Sequence, residues 1–178
     1  TGHLIKSKGM LELLEVFNRF LNIFPDSVLI ISGDGILRKN LEERIIELGI
    51  EKNVEIMGHI SRGMLANLYS QSSFYVLFTK YETFGVSFVE AMLAGLPVIG
   101  TYSGGPEHFI NKTNGILVKS EDELFDAMVY MANNHMLYNP SLIRQNTLDL
   151  FSPNVTLRKI INVYNNALKN WQLLEAPL

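Results

Sequence analysis

Glu82 and Glu90 are the residues of this sequence whose type and spacing suggest chemistry on a ligand. Between them lies Thr83-Phe84-Gly85-Val86-Ser87-Phe88-Val89, which starts as a polar, glycine-containing loop and continues as a helix. A carboxylate can accept from both hydroxyls of a vicinal diol, which suits it to a sugar or a ribose. Plainer readings stand beside that one. Ser87-Phe88-Val89-Glu90 fits a capping box, in which serine and glutamate satisfy the free amides of a first helical turn. A lone loop glutamate such as Glu82 is commonly a solvated charge.

The flanking elements place the loop. Phe74-Tyr75-Val76-Leu77-Phe78 is short, aromatic and branched, as a strand buried on both faces should be. Gly95 can end the following helix in a left-handed conformation, Pro97 prevents its resumption, and Val98-Ile99 begins another buried strand. In open parallel sheets, ligands bind beyond the carboxyl ends of the strands. The loop Lys80 to Val86 lies there.

The rest of the chain repeats this unit. Met10, Leu13, Leu14, Phe17, Phe20, Leu21 and Phe24 follow helical periodicity after Gly9. Ser27 to Ser32 reads as a buried strand that ends at Gly33-Asp34-Gly35. A helix near Leu37 to Leu48 follows, with Gly49 as its C-terminal cap. A strand at Val54 to Met57 ends at Gly58-His59-Ile60, and Ser61 can cap the next helix. After Val98 to Gly100 comes the glycine-rich segment Thr101 to Glu107, then a last strand at Gly115 to Val118. Ser120 and Ser152-Pro153 mark helix starts, and a loop with Asn139-Pro140 separates the helix after Ser120 from one at Leu142 to Leu150. Leu157, Ile160, Ile161, Tyr164, Leu168 and Trp171 form a long apolar stripe on the final helix. Strands alternating with helices over short connections predict an α/β fold, a doubly wound parallel sheet of Rossmann-like type.

With that topology, all the unusual loops fall on one edge: Gly2 to Gly9, Gly33 to Gly35, Gly58 to Ile60, Lys80 to Val86 and Thr101 to Gly105. Helix N-termini and glycine-rich turns at such an edge suit a diphosphate, and Lys8 adds a positive charge unless it is simply solvated. Two common phosphate devices are absent. Gly2 to Gly9 is not a GxxxxGK[ST] loop, and no GxGxxG follows a strand.

The segment from Glu82 through Glu90-Ala91-Met92-Leu93-Ala94-Gly95-Leu96-Pro97-Val98 resembles the signature of retaining glycosyltransferases of family four, glutamate, seven residues, glutamate. The likeness extends over nearly the whole chain. Gly2-His3-Leu4 and Lys8-Gly9 resemble that family's Gly-Arg-Leu and Lys-Gly, and Gly33-Asp34-Gly35, Gly58-His59-Ile60 and Gly104-Gly105-Pro106-Glu107 also match. The resemblance implies the C-terminal, nucleotide-sugar-binding half of a GT-B fold.

It further implies roles for single residues. Glu82 would face the donor sugar and Glu90 would hold the ribose. Lys8, with His3 in place of the usual arginine, would meet the diphosphate. Gly2, Gly33, Gly35, His59 and Ile60 would line the nucleotide site, and the amides of Thr83, Phe84, Gly85 and Val86 would face phosphate or sugar. The implied activity is sugar transfer from a nucleotide diphosphate sugar to an acceptor hydroxyl, in polysaccharide or glycoconjugate synthesis. No cofactor and no metal are expected. Acceptor glycan or lipid-linked sugar would be bound by an N-terminal half outside this sequence. A cytoplasmic protein is expected, with a membrane surface as an open partner. The rival readings are another GT-B enzyme, such as a nucleotide-sugar epimerase or a phosphorylase, and a non-catalytic nucleotide-binding module.

Composition restricts the alternatives. A length of 178 residues allows a full core. The net charge of −3, with lysines and arginines scattered, gives no basic stripe for nucleic acid. There is no cysteine, no apolar run long enough to cross a bilayer and no signal-peptide pattern. His3, His59, His108 and His135 lack ligand-like spacing. Thr1-Gly2-His3-Leu4 reads like the end of a strand already under way, so a fragment of a longer protein is expected. Residues 1–150 would form the donor-binding domain, and 151–178 a terminal helix packing toward the other half.

Overall fold

The computed structural model describes residues 1–174. Its strands are β1 (Leu29–Ser32), β2 (Val54–Gly58), β3 (Tyr75–Val76), β4 (Val98–Thr101) and β5 (Gly115–Val118). Its helices are α1 (Met10–Leu21), α2 (Arg38–Leu48), α3 (Arg62–Gln71), α4 (Val86–Leu93), α5 (Glu121–Asn134), α6 (Pro140–Phe151) and α7 (Pro153–Leu174). Every strand pairing is parallel. Strand and helix alternate from α1 to β4, and β5 follows β4 across a 3-10 turn at Pro106–His108, an α/β layering as expected from the sequence.

The helices start where small polar residues predict. Ser61, Ser120 and Asn139 each accept a backbone N–H from the first turn of α3, α5 and α6. Gly49 closes α2 with φ of 69°. The apolar stripe of α1 is buried through Leu13, Leu14, Phe17 and Phe20, and α1 packs on α5 and α2. β4 is buried along its whole length, as a central strand covered on both faces must be.

The structure corrects two details. The apolar run Phe74 to Phe78 contributes only Tyr75 and Val76 to a ladder, and β3 is paired on one side alone. The hydrogen-bonded ladder itself is divided, with β1 beside β2 in one set and β3-β4-β5 in the other. Among the described residues no helix is long and apolar enough to cross a membrane.

Gly9 joins the edge loops to this frame. It precedes α1 with φ of 62°, and a Cβ there would overlap the carbonyl oxygen of Phe78. Gly9→Ala therefore combines a left-handed backbone, costing about 1–2 kcal/mol, with a steric overlap that must shift backbone. The expected outcome is a fall of at least about 5 °C in melting temperature, read by thermal unfolding. An unchanged value would show that the approach of Gly9 to Phe78 is relaxed in solution.

Candidate functional site

Parallel strands bring the five glycine-bearing loops to one edge, and backbone hydrogen bonds tie them together. The N–H of Gly2 donates to Ser32 at 3.0 Å, Leu4 donates to Asp34 at 3.0 Å, and Gly33 donates to Gly58 at 2.7 Å. A Cβ on Gly33 would overlap the Gly2 carbonyl, and one on Gly35 would lie 2.6 Å from the Leu4 carbonyl oxygen. Only glycine allows this contact between main chains. On the other side, Lys80 N–H donates to Ser7 at 2.8 Å, Glu82 N–H to Ser103 at 3.0 Å, and Gly105 N–H to Glu82 at 2.7 Å. A Cβ on Gly105 would sit 2.6 Å from Phe84 Cα.

The two groups expected to act on donor sugar and diphosphate meet at this seam. Lys8 Nζ donates to Glu82 Oε2 at 2.6 Å, and the side chains are 21% and 13% exposed. Lys8 stands immediately before Gly9 and the N-terminus of α1, which no side chain caps. Glu82 stands three residues before Gly85, which begins α4 with φ of 94° and likewise no side-chain cap. Two helix starts with unsatisfied N–H groups thus flank one ion pair, a setting that favours negative charge.

Glu90 lies half-buried on the second turn of α4 and makes no side-chain hydrogen bond or ion pair among the described residues. The capping-box reading of Ser87 and Glu90 is overturned. α4 begins at Val86 after Gly85, so Ser87 is inside the helix, and its Oγ accepts from the Tyr75 hydroxyl at 2.9 Å. Tyr75 is 7% exposed, and burial raises its hydroxyl well above the ordinary phenol range. Neighbouring Tyr69 is pushed up to about 12, by burial first and also by the charge of Glu90. Both tyrosines are therefore neutral donors across the physiological range.

The remaining expected residues are distributed along the edge. His3 and His59 are exposed, Ile60 is half-buried, and Thr83, Phe84 and Val86 face solvent. Gly2, Gly33 and Gly35 belong to the interlocked turns described above, and their amides, not side chains, are what they offer.

Several contributors were not identified from the sequence. Arg38 opens α2, pairs with Glu42 at 2.9 Å and Asp34 at 3.4 Å, and lies against Gly58. It brings a second cation to the Gly33 to Gly58 side; its place one turn after Gly33-Asp34-Gly35 was the available signal. Thr101 Oγ donates to the Thr79 carbonyl, and Thr79 Oγ donates to Ser7 and Tyr81. Lys80 pairs with Glu12 of α1 at 2.8 Å, and that carboxylate raises its ammonium above the ordinary value. Phe84 packs with Phe109 and Phe151, fixing the loop to the reversal between α6 and α7. Among the described residues no group of acidic, histidine or cysteine side chains could hold a metal ion.

The sequence profile of a family described as glycosyl transferases group 1 matches residues 1–139. Among curated proteins the chain is similar to the 2-deoxystreptamine N-acetyl-D-glucosaminyltransferase of Niallia circulans, 24% identical over 170 residues, covering 93% of this chain and 44% of that one. It also resembles the solved C-terminal domain of a glycosyl transferase group 1 family protein (LpcC) from Francisella tularensis, with TM-score 0.71 and 27% identity. That match covers 84% of this chain and 80% of that one. A TarM mutant of S. aureus, in complex with fondaparinux, alpha-GlcNAc-glycerol and UDP, shares the fold at TM-score 0.83 and 24% identity, over 92% of this chain and 35% of that one. The chain spans less than half the length of the curated relatives it matches.

The turn at Gly104 is acid-sensitive. Both carboxylate oxygens of Glu107 accept from the Gly104 N–H at 2.9 Å. Burial by itself would raise this carboxyl. The N–H groups of Glu107 itself, Gly104 and Ser103, with His108 nearby, outweigh burial and hold it below the ordinary range. A depressed carboxylate contributes its stabilisation above its unfolded value, near ~4.3, and loses it as pH falls through the folded value. Protection of the Gly104 amide, measured by NMR exchange, should be constant from about pH 7 to 5 and fall below about pH 4. Glu107→Gln should abolish that acid step.

Proposed function

We propose, from the premise that this chain belongs to the glycosyl transferases group 1 family, that it is the donor-binding half of a retaining glycosyltransferase. The substrate is a nucleotide diphosphate sugar, and the acceptor is a hydroxyl of a glycan or lipid-linked sugar bound mainly by an N-terminal half. The observation that carries the reading is the 2.6 Å Lys8–Glu82 pair at the meeting point of the edge loops. A diphosphate entering there offers Lys8 a second anion, and a sugar beside it offers Glu82 hydroxyl donors. The pair then exchanges one partner for two.

In this scheme Lys8 and the uncapped amides at the start of α4, from Thr83 to Val86, face the diphosphate. Charge on that group grows as the bond to the sugar breaks, and donors fixed in advance stabilise growing charge without reorganising. Glu82 orients the sugar. Glu90, free of protein partners among the described residues, accepts from the ribose hydroxyls. The amides of Gly2, Gly33 and Gly35, with His3, His59 and Ile60, line the nucleotide side, and Arg38 adds positive charge there. No cofactor or metal is part of the proposal, since cation and amides supply the electrostatics. The comparisons with a transferase of Niallia circulans and with a UDP complex support this chemistry by kinship.

The apolar stripe of α7 completes the scheme. Leu157, Ile160, Ile161, Tyr164, Leu168 and Trp171 are exposed, and among the described residues α7 packs chiefly on α6. We assign this face to the N-terminal half, with 1–150 as the donor domain. At that contact the protein would sit at the cytoplasmic side of a membrane when its acceptor is lipid-linked.

Thermal unfolding of the longer protein with UDP, GDP and ADP tests the site. One nucleotide, at about 100 times its dissociation constant, should add roughly 2.7 kcal/mol, a rise of about 5–10 °C. Glu90→Ala should remove most of that rise. Glu82→Ala should leave nucleotide binding and lower turnover about 100-fold or more. Binding without any transfer would favour the non-catalytic module, and unchanged turnover would take Glu82 out of the site.

A further inference from the structure

The first turn of α4 is anchored from outside the helix. Gly85 begins it with φ of 94° and no side-chain cap. The N–H groups of Phe88 and Val89 both donate to the Gly85 carbonyl, at 3.0 and 3.3 Å. Those of Gly85, Val86 and Ser87 come earlier and have no protein acceptor among the described residues. A helix end without a cap can fray or tighten, and its unpaired amides move with it.

Ser87 is held from the sheet. Its Oγ accepts from the Tyr75 hydroxyl at 2.9 Å, and its carbonyl accepts from the Tyr69 hydroxyl of α3 at 3.5 Å. Tyr75 stands on a rigid base, since its N–H donates to Pro97 at 3.0 Å in the ladder of β3 with β4. Its ring lies edge-on to both Tyr69, at 6.0 Å, and Phe88, at 5.3 Å. The hydroxyl therefore has little freedom to follow α4 if the helix shifts. Burial keeps it protonated across the physiological range, so it donates at every working pH.

The rest of α4 has separate supports. Phe88, Val89, Ala91 and Met92 are buried, and at the far end Arg144 of α6 donates to the Leu93 carbonyl at 2.6 Å. Removal of the Tyr75 hydroxyl thus leaves the ring packing and the body of the helix in place. It frees the first turn alone.

We propose that Tyr75 is a positioning residue of the donor site, which through Ser87 fixes the first turn of α4 and with it the free amides of Gly85, Val86 and Ser87. This rests on the donor-binding reading given above. Amides stabilise an anion best when they are aimed before it arrives, and the diphosphate is the anion that this turn meets. The ribose, assigned to Glu90 on the second turn, does not depend on the bond.

Binding of a nucleoside diphosphate and of the matching monophosphate by the longer protein, measured by calorimetry, tests this. The pair is whichever of UDP, GDP or ADP binds, with UMP, GMP or AMP; the monophosphate keeps base and ribose and lacks the outer phosphate. Tyr75→Phe, which removes one oxygen and keeps the ring, should weaken the diphosphate about 5- to 10-fold and the monophosphate less than about 2-fold. Ser87→Ala should do the same, and the double variant should be no weaker than either alone, because both remove one bond. Ser87→Thr, which keeps the acceptor, should bind as the unsubstituted protein does. Equal losses for both ligands would leave Tyr75 a general structural role and overturn the proposal, as would unchanged diphosphate binding in Tyr75→Phe. Additive losses in the double variant would show that the two hydroxyls do not act through one bond, again against it. Failure of the unsubstituted protein to bind any of the three diphosphates would sink the donor-binding reading itself, and the proposal with it.

Discussion

Direct contact between main chains at the strand ends is the constraint on which the rest of this structure depends. Gly2 lies on Gly33, Gly35 on Leu4, Gly9 on Phe78, and Gly105 on Phe84, each at a separation that excludes a Cβ. Parallel strands deliver all these loops to one edge, but direction alone would leave them as separate mobile turns. Their interlocking turns an edge into a surface of fixed amides, and fixed amides are what an anionic ligand can use without a large ordering cost.

The Lys8–Glu82 pair sits on that surface with neither partner fully in water nor fully buried. Ion pairs of this kind fall between two limits. Exposed pairs contribute about 0–1 kcal/mol, whereas removing one member of a buried pair costs about 3–5 kcal/mol. An intermediate pair is weak enough to be opened by a ligand with its own charges and strong enough to hold both side chains in place until then. Glu12–Lys80 and the aromatic contact of Phe84 with Phe109 and Phe151 fix the two ends of the same loop from outside. The loop is thereby held by α1 on one side and by the α6 to α7 reversal on the other.

What could be read from the sequence follows from which interactions are local. Caps at Ser61 and Ser120, the glycine stop at Gly49 and the stripe of α1 depend on residues a few positions apart, and each is found where it was expected. The convergence of the loops was also legible, because it needs only strand direction. Ser87 was misread because the choice of N-cap fell to Gly85, whose left-handed backbone starts the helix two residues sooner. Its hydroxyl is then taken by Tyr75, a partner twelve positions away. The bond of Thr79 to Ser7 and the Phe84 contacts were invisible for the same reason, since each depends on elements that meet only in the folded chain, whereas Arg38 pairs with Asp34 and Glu42 four positions to either side and was open to local reading.

The unfilled features have a common physical meaning. Ile30 and the stripe of α7 expose apolar side chains that their own secondary structure arranges for burial, one along a strand edge and one along a helix face. Their positions bear differently on the site. The strand edge lies behind the turn that begins at Gly2, whose N–H donates to Ser32 at the end of β1. The face of α7 lies beyond Phe151, whose ring touches Phe84, so a partner packed on α7 bears on the other end of the same loop. The two features thus border the loops that hold Lys8 and Glu82, one at the turn of Gly2 and one through the ring of Phe84.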